Sequence, residues 1–176
     1  MKVYHSNTPS VLGHHQLKVY EDDGHGEVQV MLAFEVGDKL VDVQFVVDSG
    51  SYNTSMSYEL ARTLGLGIHD GYAFGWLDLN NGVMVAVPVF IEKLECDPLL
   101  GNDFINYYHV SLNMRDNQLI VRQPTAEIFA TPLATPFVNM SVGGRRFKAV
   151  MDTGATKTYL TPYTARALKL DVITLL

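Results

Sequence analysis

Hydrophobic and polar residues fall into a regular pattern from Glu27 onward. "EVQVMLAFEV" and "KLVDVQFVV" are β-branched, apolar and partly alternating, with Gly37-Asp38-Lys39 between them. This predicts a β-hairpin whose second strand runs into Asp48. The residues before it, 1 to 26, are polar and mixed. Their most charged piece, "EDDGHGE" from Glu21 to Glu27, lacks the ligand spacing of a calcium loop, so a solvated lead-in is expected.

A short helix is predicted after Asp48-Ser49-Gly50. Ser57 is its N-cap, "YELARTL" is helix-compatible, and Gly65 supplies a left-handed stop. "YAFGWLDL" and "VMVAVPVFIEKL" then flank Asn80-Asn81-Gly82, a hairpin signal. The apolar "PLLGNDFI" leads to "HVSLNM" and "QLIVRQ", two strands around a polar turn at Arg115 to Asn117. Three prolines mark "VRQPTAEIFATPLATP" as an extended connector.

At Phe137 the pattern restarts. "FVNMSV", Gly143-Gly144 and "RRFKAVM" predict a second hairpin, ending in Asp152; Thr161 repeats the N-cap, Pro162 suits the first helical position, and "YTARALKL" repeats the helix. Residues 104 apart match as Asp48/Asp152, Gly50/Gly154, Thr54/Thr158, Ala61/Ala165, Arg62/Arg166, Leu64/Leu168 and Leu66/Leu170. Seven identities in one gapless register, over like elements in like order, make this an internal repeat. The apolar ending "DVITLL" suggests that the natural polypeptide continues past Leu176.

Composition narrows the function classes. With 47% apolar and 18% charged residues the chain can bury a core. A net charge of -6 argues against a nucleic-acid partner. No apolar run is long enough to span a membrane, and "MKVYHSNTPSVLGHH" has no signal-peptide core, so an intracellular, cytoplasmic setting without a membrane partner is expected. Cys96 is the sole cysteine, and the six histidines lack metal-ligand spacing; neither metal nor cofactor is expected. Ser49 and Ser51 sit in no nucleophile-elbow pattern.

The repeated loop carries the chemistry. An aspartate at the end of a buried strand is costly unless donors reach it or it holds a proton. A following Ser or Thr offers a hydroxyl, and Gly allows close backbone approach. Two such carboxylates brought together cannot both ionise. One can then take a proton from water while the other polarises a peptide carbonyl.

"FVVDSGS" (Phe45 to Ser51), "AVMDTGAT" (Ala149 to Thr156) and "PLLGNDFI" (Pro98 to Ile105) together resemble the retropepsin-like aspartic proteases. The resemblance implies a mainly β, acid-protease fold: a closed β-sheet unit with a short helix after each Asp-Ser/Thr-Gly loop, plus a partial second repeat. The expected division is a lead-in at 1–26, a unit at 27–122, a connector at 123–136 and a partial unit at 137–176. Asp48 and Asp152 fall on catalytic positions, Ser49 and Thr153 on the bracing hydroxyls, and Gly50 and Gly154 beside them. Leu99, Leu100 and Gly101 would cross behind the catalytic loop. A flap is expected to be short, around Gly71 to Gly75 or Asn80 to Gly82, or absent, with Trp76 either in it or in the core.

The expected function is peptide-bond hydrolysis on a peptide or protein substrate by water activated between two aspartates. The alternative is a non-catalytic module for dimerisation or peptide binding. Either the two repeats pair within one chain, or Asp48 meets its symmetry mate in a homodimer, which the partial second unit favours.

Overall fold

The computed structural model describes residues 9–22, 25–79, 82–94, 97–124, 136–142, 144–155 and 157–170. Its architecture is mainly β. The first hairpin forms as its alternation dictates: β2 (His25–Val36) and β3 (Lys39–Val47) pair antiparallel from Gln29↔Val46 to Val36↔Lys39. Gly37 turns the chain at φ 58. Val30, Leu32, Phe34, Val43, Phe45 and Val47 point into the core and are at most 5% exposed.

The N-terminal segment departs from expectation. Residues 11–22 are not a solvated lead-in: they form β1 (Val11–Asp22), which pairs with β2 on one side and with β9 (Gln118–Arg122) on the other. Gly13, His15 and Leu17 alternate inward. The pattern was hidden because two of these three inward positions are not large apolar residues. A Cβ on Gly13 would lie 3.0 Å from the Leu79 backbone and side chain, so glycine is what lets β1 approach. Burial lowers the pKa of His15, with Asp78 opposing.

The rest of this region contains two similar halves. In one, β3 leads through the Asp48 loop to β4 (Ser55–Ser57) and α1 (Tyr58–Thr63). In the other, β5 (Tyr72–Asp78) and β6 (Met84–Glu92) lead through a loop to β7 (Leu99–Leu100) and α2 (Asn102–Tyr107). β3 and β7 pair in parallel at Val46↔Leu99, β4 and β6 in parallel at Ser55↔Phe90, and β4 crosses β7 antiparallel at Ser55↔Leu99. Val46 to Ser55 and Phe90 to Leu99 are both steps of nine residues, so the two halves are related by an approximate two-fold axis through the crossing. β8 (Ser111–Asn113) and β9 complete the sheet.

Ser57 caps α1 by accepting the Leu60 N–H at 3.1 Å, and Gly65 ends it at φ 66. The second region repeats this construction. β10 (Phe137–Val142) pairs with β11 (Arg145–Val150), and Thr161 caps α3 (Pro162–Ala167) by accepting the Thr164 N–H at 3.1 Å. Lys169 then stands at φ 56, where the first copy has Gly65. Among the described residues from 136 onward, Ala165 alone is buried; the core belongs to residues 17 to 121. The Pro-containing connector falls largely outside the described residues, as does Cys96.

Candidate active site

Each Asp-Ser/Thr-Gly loop first folds around its own aspartate. Asp48 Oδ1 accepts the N–H groups of Gly50 at 2.8 Å and Ser51 at 3.1 Å. Asp152 Oδ1 accepts those of Gly154 at 3.0 Å and Ala155 at 3.1 Å. The same local turn in both copies aims both carboxyls alike.

The two loops then grip one another. The Ser49 N–H donates to Thr153 Oγ1 at 3.0 Å, and the Thr153 N–H donates to Ser49 Oγ at 3.0 Å. Each hydroxyl also donates across, Ser49 Oγ to the Met151 carbonyl at 2.7 Å and Thr153 Oγ1 to the Val47 carbonyl. Every bond in one direction thus has a counterpart in the other, so the contact is two-fold in kind. Asp48 faces Asp152 of its own chain.

The glycines explain the closeness. A Cβ on Gly50 would stand 2.5 Å from Asp152 Cγ, and one on Gly154 would stand 2.6 Å from Asp48 Cγ. Each aspartate therefore lies against the other loop's glycine, and any side chain there would push the carboxyls apart. Asp48 is driven above the usual carboxylate range, chiefly by burial. The Gly50 N–H opposes this, while the hydrogen bond and charge of Asp152 add to it. The pair suits the sharing of one proton.

Behind the Asp48 loop, β7 and α2 form a backing. The Asp48 N–H donates to the Leu100 carbonyl at 3.0 Å. Leu99 lies on the crossing with Ser55, and a Cβ on Gly101 would meet the Asn53 carbonyl carbon at 2.3 Å. Three residues given no role from sequence complete the support. Asn102 Nδ2 donates to the Ser49 carbonyl at 2.7 Å. Asp103 Oδ1 accepts both the N–H of Thr54 at 2.8 Å and its hydroxyl at 2.7 Å. Thr54 Oγ1 accepts the Gly101 N–H at 3.1 Å. Burial raises the pKa of Asp103 against these Thr54 bonds. The available signal was the identity of Thr54 and Thr158 within the repeat, together with Asn-Asp at a helix start. Among the described residues the Asp152 loop has no second helix of this kind behind it.

The first flap candidate is not a long arm. Gly71 lies in a two-residue turn, closed by the His69 N–H to the Tyr72 carbonyl at 2.8 Å and by its reciprocal at 2.9 Å. That turn is held to β6 through the Ile91 N–H on the Gly71 carbonyl, at 2.8 Å. At the other candidate, Asn80 and Asn81 lie outside the described residues, and the adjacent Leu79 is fully buried. Trp76 is neither in the core nor in a flap: it stands on the outer face of β5, 48% exposed, in a row with Tyr72 and Phe74. The inward position beside it is Gly75, whose missing Cβ leaves room for the Phe34 ring.

No protein-family model matches this chain, and no curated protein matches it either.

Proposed function

We propose that this protein is an aspartic endopeptidase of the retropepsin-like type, with Asp48 and Asp152 as the catalytic pair. The observation that carries the reading is the reciprocal grip of Ser49 and Thr153, which holds the two carboxyls face to face. The paired halves crossing at Ser55 and Leu99 support the retropepsin-like fold assignment.

In this mechanism one carboxyl is protonated and its partner ionised. A water held between them gives a proton to the ionised carboxyl as its oxygen attacks the peptide carbonyl carbon. The protonated carboxyl donates to the carbonyl oxygen, giving a neutral tetrahedral diol. Transfer of a proton to the amide nitrogen then breaks the C–N bond, releasing an amine and a carboxylic acid. The raised Asp48 favours the protonated role for Asp48 in the free enzyme.

The short turn at His69–Tyr72, where an endopeptidase of this type carries a longer flap, favours a second reading: a module that binds peptides without cutting them. The two separate in one experiment. An unfolded protein substrate is incubated over a mildly acidic to neutral pH series and its fragments are identified by mass spectrometry. The protease reading predicts cleavage that a hydroxyl-bearing peptide inhibitor suppresses. Binding of the substrate without new termini at any pH would leave the module as the better account.

A further inference from the structure

The peptide unit between Ser49 and Gly50 is bonded at both of its ends. Its N–H donates to Asp48 Oδ1 at 2.8 Å, and its C=O accepts from Asn102 Nδ2 at 2.7 Å. A trans peptide is planar, with C=O and N–H pointing opposite ways. Whatever fixes the carbonyl therefore also fixes the direction of the amide hydrogen. The main chain of Asn102 holds the same loop farther along, through its N–H to the Ser51 carbonyl at 3.0 Å. Asn102 thus grips the loop on either side of Gly50, and its side chain is the part that reaches the peptide meeting the carboxyl.

Asn102 is fully buried at the start of α2. The orientation of its amide is fixed, because a flipped one would set its oxygen against the Ser49 carbonyl oxygen. Among the described residues its Oδ1 accepts no hydrogen bond. A buried amide oxygen without a donor costs stability. An amide placed for stability would use both ends; this one uses its donor alone, and that donor is aimed at the Ser49 carbonyl.

We propose that Asn102 is a positioning residue for Asp48: its amide orients and polarises the Ser49–Gly50 peptide, which passes that hold to the carboxyl through the Gly50 N–H. Hydrogen bonds linked in this way strengthen one another in a low-dielectric surrounding. Burial raises the proton affinity of Asp48, and the Gly50 N–H is the foremost influence opposing it. Asn102 accordingly limits how far burial drives a proton onto Asp48. Asp152 is the titratable group that faces Asp48. Asp103, the charged residue of α2, turns its Oδ1 to Thr54 and to its own helix. The effect on cleavage rests on the catalytic reading proposed above, whereas the effect on the proton stands without it.

The test uses the full 176-residue chain. The Asp48 carboxyl carbon is followed by carbon NMR across a pH series and identified by its loss in Asp48→Asn. Asn102→Ala removes the donor, and Asn102→Leu removes it while filling the buried volume, which guards against a variant that does not fold. In both, the Asp48 titration should move up by about half a pH unit or more, the size expected from weakening one hydrogen bond to a charged group. The Gly50 amide should also exchange faster with solvent. Thr54→Val is the control. It loosens the same backing by removing the hydroxyl bonded to Asp103 and Gly101, yet leaves the Ser49 carbonyl its donor, so the Asp48 titration should stay in place. Under the catalytic reading, the alkaline limb of kcat/KM should rise in the Asn102 variants and not in Thr54→Val. A protein that cleaves nothing yet shows the titration shift upholds the inference and removes the catalytic reading. An unmoved Asp48 titration in a folded Asn102 variant overturns the inference. So does an equal shift in Thr54→Val, because Asn102 is then a structural prop like the rest of the backing.

Discussion

At the scale of single residues, Asp48 sets burial against charge. Its raised pKa means that the folded state holds the proton more tightly than the unfolded chain does. That contribution to stability is fully present below the unfolded value of about 3.9 and is lost as pH rises through the raised value. At neutral pH an ionised Asp48 therefore costs stability. Asp48→Asn is expected to raise the melting temperature at pH 7 and to lose that advantage in acid, by thermal denaturation at both pH values. A lower melting temperature at neutral pH would contradict this account of the loop. Gly50→Ala and Gly154→Ala should each damage the site, since the new methyl meets a carboxyl at 2.5 and 2.6 Å respectively. The expected signature is loss of cleavage with near-normal far-UV circular dichroism. Asp103 accepts through Oδ1, from the Thr54 N–H and hydroxyl and from the Phe104 N–H. Asp103→Asn, which keeps that acceptor, should be tolerated, whereas Asp103→Ala leaves the Thr54 N–H without its partner and should cost about 1–3 kcal/mol in urea unfolding.

At the scale of elements, the two helix ends offer a controlled comparison. Gly65 and Lys169 hold the same left-handed position, at φ 66 and φ 56, and nothing lies within 4 Å of a Cβ at Gly65. The cost of a side chain there is conformational alone, about 1 kcal/mol. Lys169→Gly should stabilise the second region by that amount and Gly65→Lys should destabilise the first by as much, read as shifts in urea midpoints. Helix positions were legible in sequence because caps and stops are local: Ser57, Thr161 and Gly65 do what their chemistry implies. The first hairpin was legible because its inward positions are large and apolar. β1 was not, because Gly13 and His15 occupy inward positions and the reason for them, the approach of Leu79, lies far along the chain. The helix after Leu100 was missed for a related reason. Its first turn is stabilised by the carbonyls of Ser51 and Tyr52 across the fold rather than by a capping side chain of its own.

At the scale of the whole molecule, the repeat brings two loops together but supports them unequally. The Asp48 loop is held from behind by β7 and α2, and the Asp152 loop is held to it through Ser49 and Thr153. That the loops belonged together was legible from the gapless register. Which copy of Asp152 or Asp48 each would face was not, because a repeat is equally consistent with pairing inside a chain and between chains. Under the proposed function, the intrachain grip predicts cleavage per chain that is independent of protein concentration, and a dilution series of the initial cleavage rate checks this directly. The most direct measurement is kcat/KM for peptide cleavage by Asp48→Asn and Asp152→Asn, each purified and tested beside the unaltered protein. If the two aspartates of one chain form the working pair, both substitutions lower it by about 10²–10⁴-fold, and mixing the two variants restores nothing. If Asp152→Asn cleaves at the full rate while Asp48→Asn is inactive, Asp48 works with a different partner and the account is wrong.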